Sequence, residues 1–171
     1  MDGILNINKP AGPTSFDIIS LVRRLSGERK VGHAGTLDPL ATGVLPVCLG
    51  KGTRIIEFLV DTTKTYRAEI ELGVSTDTYD AEGRVTGTGD PAGISREQVE
   101  AALFSLGGQT EQVPPIYSAL KYKGKPLYKW ARDGVIIKPE SRPVHIHQIQ
   151  LIEWKMPVVT AEIVCGKGTY I

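Results

Sequence analysis

Apolar and polar positions alternate most cleanly between residues 64 and 72, where Tyr66, Ala68, Ile70 and Leu72 share one parity and Arg67, Glu69 and Glu71 the other. Successive side chains of a strand point to opposite faces, so this predicts a half-buried strand whose inward face begins at Tyr66. Residues 3–8 alternate more weakly and predict a short first strand, and the run 44–49 predicts a buried one. Late in the chain, 142–154 and 157–165 read as two long antiparallel strands. Helical spacing appears after Ser15, a candidate cap, with Ile18, Leu21, Val22 and Leu25 on one stripe and Gly27 as the stop. A second helix opens at the capping box Ser95-Arg-Glu-Gln98, runs through Val99, Ala102, Leu103 and Leu106, and stops at Gly107-Gly108. Shorter helices are predicted over 53–60, packing Ile55, Ile56, Leu59 and Val60, and over 127–132, ending at Gly134.

The connecting stretches carry turn chemistry. Residues 9–14 hold two prolines and a glycine, 28–43 read as a long polar loop, and 73–94 as a loop or hairpin. Pro114 and Pro115 interrupt an extended segment that suits a sheet edge or loop. Strands and helices intermingle without regular βαβ alternation, which predicts an α+β fold with a mixed, largely antiparallel sheet flanked by helices. A chain of 171 residues is enough for one domain, and 1–171 is read as a single one.

Composition changes this picture little. Hydrophobic residues make up 41% and charged residues 23%, and the net charge is +1. No global positive field therefore points to a nucleic acid, and any such contact must use a local patch. Arg23 and Arg24 lie off the apolar stripe of the first helix, a solvated pair or a phosphate contact, and Lys121, Lys129 and Arg132 carry the same two readings. Cys48 and Cys165 sit in apolar runs and are expected to be buried and reduced. The opening Met-Asp-Gly lacks the pattern of a secretion signal and no apolar run reaches membrane-spanning length, so the expectation is a soluble, cytoplasmic, monomeric protein with no membrane partner.

Several chemistries lack their motifs. The two Gly-Lys-Gly runs, at 50–52 and 166–168, do not have the spacing of a phosphate-binding loop, and there is no GxGxxG or GxSxG. His145 and His147 share a strand face without a flanking Cys or acidic cluster, so no metal site is expected. The remaining candidate is the loop Gly32-His33-Ala-Gly-Thr36-Leu-Asp38-Pro39-Leu-Ala-Thr42-Gly43. Asp before Pro is ordinarily a turn initiator. Here it also precedes a buried strand, with His33, Thr36 and Thr42 close by, and a carboxylate so held can act as nucleophile or base. On the residues alone both readings stand.

That loop, with Val44 and Leu45, resembles the catalytic segment of the bacterial tRNA pseudouridine-55 synthase family, TruB. The resemblance continues in Lys9-Pro-Ala-Gly-Pro-Thr-Ser15, Lys64-Thr-Tyr-Arg-Ala, Leu72-Gly73 and Thr76-Asp-Thr-Tyr-Asp80. It extends through Gln112-Val-Pro-Pro-Ile-Tyr-Ser-Ala119, Leu127-Tyr-Lys-Trp-Ala-Arg132 and Gly166-Lys-Gly-Thr-Tyr-Ile171. The resemblance implies the pseudouridine synthase catalytic fold and isomerisation of uridine to pseudouridine at position 55, in the T-loop of tRNA, with the T-arm stem-loop as partner. It implies Asp38 as the nucleophile and Tyr66 as the ring stacked on the flipped uracil, placed also to assist removal of the C5 proton. His33 then contacts RNA near the extruded nucleotide, and the hydroxyl of Tyr170 lies by the active site. No metal and no redox cofactor are implied, and Asp80 stays outside the catalytic set.

In the family the Gly-Thr-Tyr-Ile segment leads into an arginine paired with the aspartate, then further core elements and usually a small C-terminal RNA-binding domain. The 171 residues are therefore read as part of a synthase, poorly active alone. Competing readings are a guide-RNA-dependent ribosomal RNA relative, a non-catalytic tRNA-binding or folding module, and a glycosidase or nucleosidase, for which no second catalytic carboxylate is evident.

Overall fold

The weakly alternating start of the chain forms strand β1 (Gly3–Lys9) in the computed structural model, which describes residues 1–171. Helix α1 (Ser15–Ser26) follows, then β2 (Val31–His33), β3 (Gly43–Leu49), a 3-10 segment Gly50–Ile55 and the single turn α2 (Ile56–Leu59). These belong to the first of two compact units, Met1–Thr62. Its sheet has the order β1-β3-β2, with both pairings antiparallel. One face is covered by α1, whose Ile18, Ile19 and Val22 pack on Val31, Leu45, Val47 and Leu49. Burying each of those α1 side chains stabilises the unit by roughly 1.5–3 kcal/mol.

Thr14, and not Ser15, caps α1. Its side chain accepts from the Asp17 N–H while the Asp17 carboxylate accepts from the Thr14 N–H, a reciprocal capping box. Gly27 closes the helix in the left-handed conformation, as expected. Arg23 is not simply a solvated side chain, because its guanidinium donates to the Val31 carbonyl at 3.0 Å.

Two further expectations are corrected. The stretch 28–43 is not all loop, since β2 pairs with β3 inside it through Val31↔Leu49, Gly32↔Cys48 and His33↔Val47. The helix expected over 53–60 is split between the end of the 3-10 segment, through Ile55, and the one α turn Ile56–Leu59, and none of Ile55, Ile56, Leu59 or Val60 is fully buried.

Pro46 explains where β2 ends. Its carbonyl accepts from the Ala34 N–H at 3.0 Å, so the backbone of Pro46 presents its polar groups toward β2 rather than β1. The reciprocal bond from Pro46 to Ala34 cannot form, because proline has no N–H. Pairing stops at His33, and the chain leaves the sheet into the loop that carries Asp38.

The second unit, Thr63–Ile171, is built on β4 (Lys64–Glu71), which alternates inward and outward residues along its whole length as predicted. The stretch 73–94 contains a hairpin of β5 (Val74–Thr76) and β6 (Val85–Thr88). Then come α3 (Arg96–Ser105), with Ser95 and Gln98 forming the expected capping box, and β7 (Gly108–Gln112). The short strands β8 (Lys121–Tyr122) and β9 (Lys125–Pro126) lead into α4 (Leu127–Arg132), and β10 (Arg142–Lys155) and β11 (Val158–Cys165) complete the unit.

The main sheet has the order β4-β11-β10-β7 and is antiparallel throughout. Tyr66 stands opposite Ile163, and the inward residues Tyr66, Ala68 and Ile70 pack with Val159, Ala161, Ile163 and the Val99 and Leu103 side chains of α3. Sheets and helices of this kind make the fold α+β. Cys48 and Cys165 are both free and buried, and no helix is long and apolar enough to cross a membrane.

Candidate active site

In the first unit the loop between β2 and β3 holds Asp38 with its side chain exposed. The Asp38 carbonyl accepts from the Ala41 N–H at 3.1 Å, closing a turn over Pro39 and Leu40. Gly35 at φ 130° and Gly43 at φ 116° bend the two ends of this loop, in conformations that side chains disfavour.

The residues around Asp38 are anchored from beneath. The Ser15 hydroxyl donates to the Leu37 carbonyl and accepts from the Leu37 N–H, both at 2.9 Å. Lys9 has no exposed surface. Its ammonium donates to the carbonyls of Pro10 and Pro13 at 2.8 Å and to that of Pro39 at 3.1 Å. Those bonds use all three of its protons, which is how a buried lysine stays satisfied. Burial pushes its pKa below the usual lysine value, while the negative charge of Asp38 pulls it the other way. Gly12 adds a 2.9 Å bond to the same Pro39 carbonyl. The backbone on both sides of the carboxylate is thus fixed by groups from β1, the turn after it and the start of α1.

His33 ends β2, half-buried, and its Nδ1 is a buried polar atom without a hydrogen-bond partner. A cavity of about 660 Å³ in this unit lies along β1 and α1, is lined mainly by apolar residues such as Leu5, Ile7, Leu21 and Leu25, and includes neither Asp38 nor His33. No group of three or more His, Cys, Asp or Glu side chains is arranged to hold a metal ion.

In the second unit Tyr66 is half-buried on β4 and Tyr170 follows β11. The Gln112 side chain holds the backbone of Tyr170 on both sides. Its amide Nε2 donates to the Tyr170 carbonyl at 2.8 Å, and its Oε1 accepts from the Tyr170 N–H at 2.9 Å. A side-chain amide here takes the place of a neighbouring strand. A cleft of about 390 Å³ opens beside it, lined by Pro114, Arg142, Pro143, Lys167, Gly168 and Tyr170. Lys121, Lys129 and Arg132 are exposed around β8 and α4, the Arg132 guanidinium 5.5 Å from the Tyr128 ring centroid.

Residues 23–171 match the family described as TruB family pseudouridylate synthase (N terminal domain). This chain belongs to that family. Proteins named tRNA pseudouridine synthase B resemble it along its full length, with 51% identity in Dehalococcoides mccartyi, 50% in Syntrophotalea carbinolica and 47% in Clostridium novyi. The chain spans 57%, 56% and 59% of those curated relatives, respectively. Among solved structures it is similar to a chain of a Cbf5-Nop10-Gar1 complex, at TM-score 0.72 and 27% identity over 99% of this chain and 41% of that one. A chain of an H/ACA RNP bound to a substrate RNA containing 2'-deoxyuridine matches at TM-score 0.66 and 25% identity, over 98% of this chain and 39% of that one. The fold is therefore the pseudouridine synthase fold.

In this TruB-family chain three residues that anchor the candidate segments of the two units, each within its own unit, escape a reading of the sequence. Lys9 ends an ordinary alternating strand, and its acceptor Pro39 is 30 positions away. Ser15 resembles a cap, and Gln112 an edge-strand residue whose partner is 58 positions distant. The only local signal is a lysine standing immediately before a Pro-Ala-Gly-Pro turn.

Proposed function

We propose that residues 1–171 are part of the catalytic domain of an enzyme that isomerises uridine to pseudouridine at position 55, in the T-arm stem-loop of tRNA. The observation that carries this reading is the anchoring of the Asp38 loop. A carboxylate is exposed while the backbone before and after it is fixed by Ser15 and by the buried Lys9. A nucleophile needs that combination of access and preorganisation. The relatives' name, tRNA pseudouridine synthase B, supports both the reaction and the substrate. The guide-RNA reading is supported less, because the structures from H/ACA assemblies are 25–27% identical against about 50% for those relatives.

In this proposal Asp38 attacks the target uridine as nucleophile. The bond from C1′ to N1 breaks, the base turns, C1′ bonds to C5, and the temporary bond to Asp38 breaks to return the free carboxylate. The C5 proton leaves and N1 gains one, so the product is an isomer and no oxidant or reductant enters the balance. Tyr66 stacks on the flipped uracil, for which an aromatic face is the ordinary platform, and assists removal of the C5 proton. His33 contacts the RNA beside the extruded nucleotide. The half-buried side chain of His33 keeps part of its surface accessible for such a contact. Tyr170 contributes to substrate binding. The protein acts in the cytoplasm as a monomer.

The test is tritium release from C5 of the target uridine in T-arm RNA, using the longest form of the protein that carries this chain. Wild type is expected to release tritium, and Asp38→Asn to lose release while keeping RNA binding. Absence of release by wild type, or full release by Asp38→Asn, would overturn the reading.

A further inference from the structure

We propose that the cleft beside Tyr170 is an anion subsite that holds one backbone phosphate of the RNA between Arg142 and Lys167. The proposal deepens the function given above and rests on RNA being the substrate.

Two of the six residues lining the cleft are cations, and none is a carboxylate. Glu111, on the strand beside Arg142, accepts a hydrogen bond from the Ser141 hydroxyl at 2.5 Å. The two cations come from segments tied to one another. Arg142 opens β10 directly opposite Gln112 of β7, and the Gln112 amide holds the Tyr170 backbone through its two bonds. Lys167 lies in the turn that leads to Tyr170. There the Thr169 hydroxyl donates to the Gly166 carbonyl at 3.0 Å, and the Gly166 N–H donates to the His145 carbonyl at 2.8 Å. Pro114 and Pro143 form rigid walls that have no N–H of their own. The backbones that carry the two cations are thus tied together, by strand register at Arg142 and by hydrogen bonds around the turn of Lys167.

Chemistry narrows the ligand. A planar guanidinium matches a phosphate through two parallel N–H bonds, and the ammonium supplies a second, point-like charge. An aromatic ring at the same cleft favours a nucleotide over an isolated anion, because bases stack on aromatic side chains.

The experiment has two arms. In the first, NMR follows the backbone amides of Gly168 and Tyr170 in the 171-residue chain during titration with uridine 5′-monophosphate, with uridine as the comparison. The nucleotide should shift both amides, uridine should not, and Arg142→Gln should abolish the shift. In the second, T-arm RNA affinity is measured against salt concentration. Each lost phosphate contact lowers the slope of log K against log salt by about 0.7–0.9. Arg142→Gln and Lys167→Met should each show that decrease, whereas Lys155→Gln, at the opposite end of β10, should keep the wild-type slope. A silent titration together with unchanged slopes in both variants overturns the subsite while leaving RNA recognition intact. Nucleotide shifts in a protein that fails to bind T-arm RNA support the subsite and count against the proposed substrate.

Discussion

The ammonium of Lys9 lies 3.1 Å from the carbonyl oxygen of Pro39, so a fully buried cation holds the residue that directly follows Asp38. The same ammonium closes the Pro10–Pro13 turn through the two carbonyls at 2.8 Å. Replacing Lys9 by Met keeps most of the volume but removes a donor from three acceptors, of which only Pro39 keeps another bond, from the Gly12 N–H. Leaving buried polar groups without partners costs about 1–3 kcal/mol each, partly relieved where water can enter. Lys9→Met is expected to lower unfolding stability by about 2–4 kcal/mol, read as a lower urea midpoint at unchanged slope. Tritium release should fall with it, because the Asp38 loop loses its central anchor.

In the proposed mechanism, substitutions at Tyr66 separate stacking from acid–base assistance. Stacking of a base on an aromatic side chain contributes about 1–3 kcal/mol. Tyr66→Leu is therefore expected to reduce uridine isomerisation and to weaken binding of T-arm RNA by about 5- to 150-fold. Tyr66→Phe should restore binding while leaving turnover impaired, which a single-turnover assay beside a binding isotherm will resolve.

Asp17 provides a pH test. Hydrogen bonds from the Thr14 side chain and backbone hold its carboxyl below the ordinary aspartate value. A depressed folded-state pKa adds stability that is present above the unfolded value and is lost as pH falls through the folded one. Asp17→Asn is therefore expected to be less stable than wild type at neutral pH, with the difference shrinking below about pH 4. Thermal unfolding from pH 7 down to pH 3 checks this; a difference independent of pH would contradict the capping account.

The two thiols give a fourth expectation. Burial pushes both Cys48 and Cys165 above the ordinary thiol value, although Thr169 and Lys64 partly oppose the shift at Cys165. Neither should react with a disulfide reagent at pH 8 in the native protein, and both should react at once in urea. Rapid labelling of either thiol without denaturant would show that its strand opens locally.

Much of this structure is legible from local pattern. The two-residue period of β4, the Ser95–Gln98 capping box and Gly27 each act through neighbours a few residues away, and each appears where the sequence puts it. The failures share a cause. Thr14 and Ser15 are adjacent hydroxyls, and what separates them is that Asp17 sits three residues after Thr14, while Ser15 is engaged with Leu37, 22 positions on. Strand β2 is three residues long, too short to show a period, and exists because β3 pairs with it. The candidate site follows the same division. Asp38 alone reads as a turn aspartate, and a reaction for it comes only as what the ordered resemblance across the chain implies. Lys9, Ser15 and Gln112 act only through contacts made after folding.

Pro46 has a consequence for the reach of the Asp38 loop. If residue 46 carried an N–H, Ala34 could complete its exchange and the sheet could zip onward toward Gly35. Each residue drawn into a strand is committed to about 3.3 Å of straight path. Two such residues would take roughly 7 Å of slack from a loop that, in the proposed function, presents a carboxylate to RNA. Pro46 works as a length stop, setting how much free chain is dispensed between the sheet and Asp38.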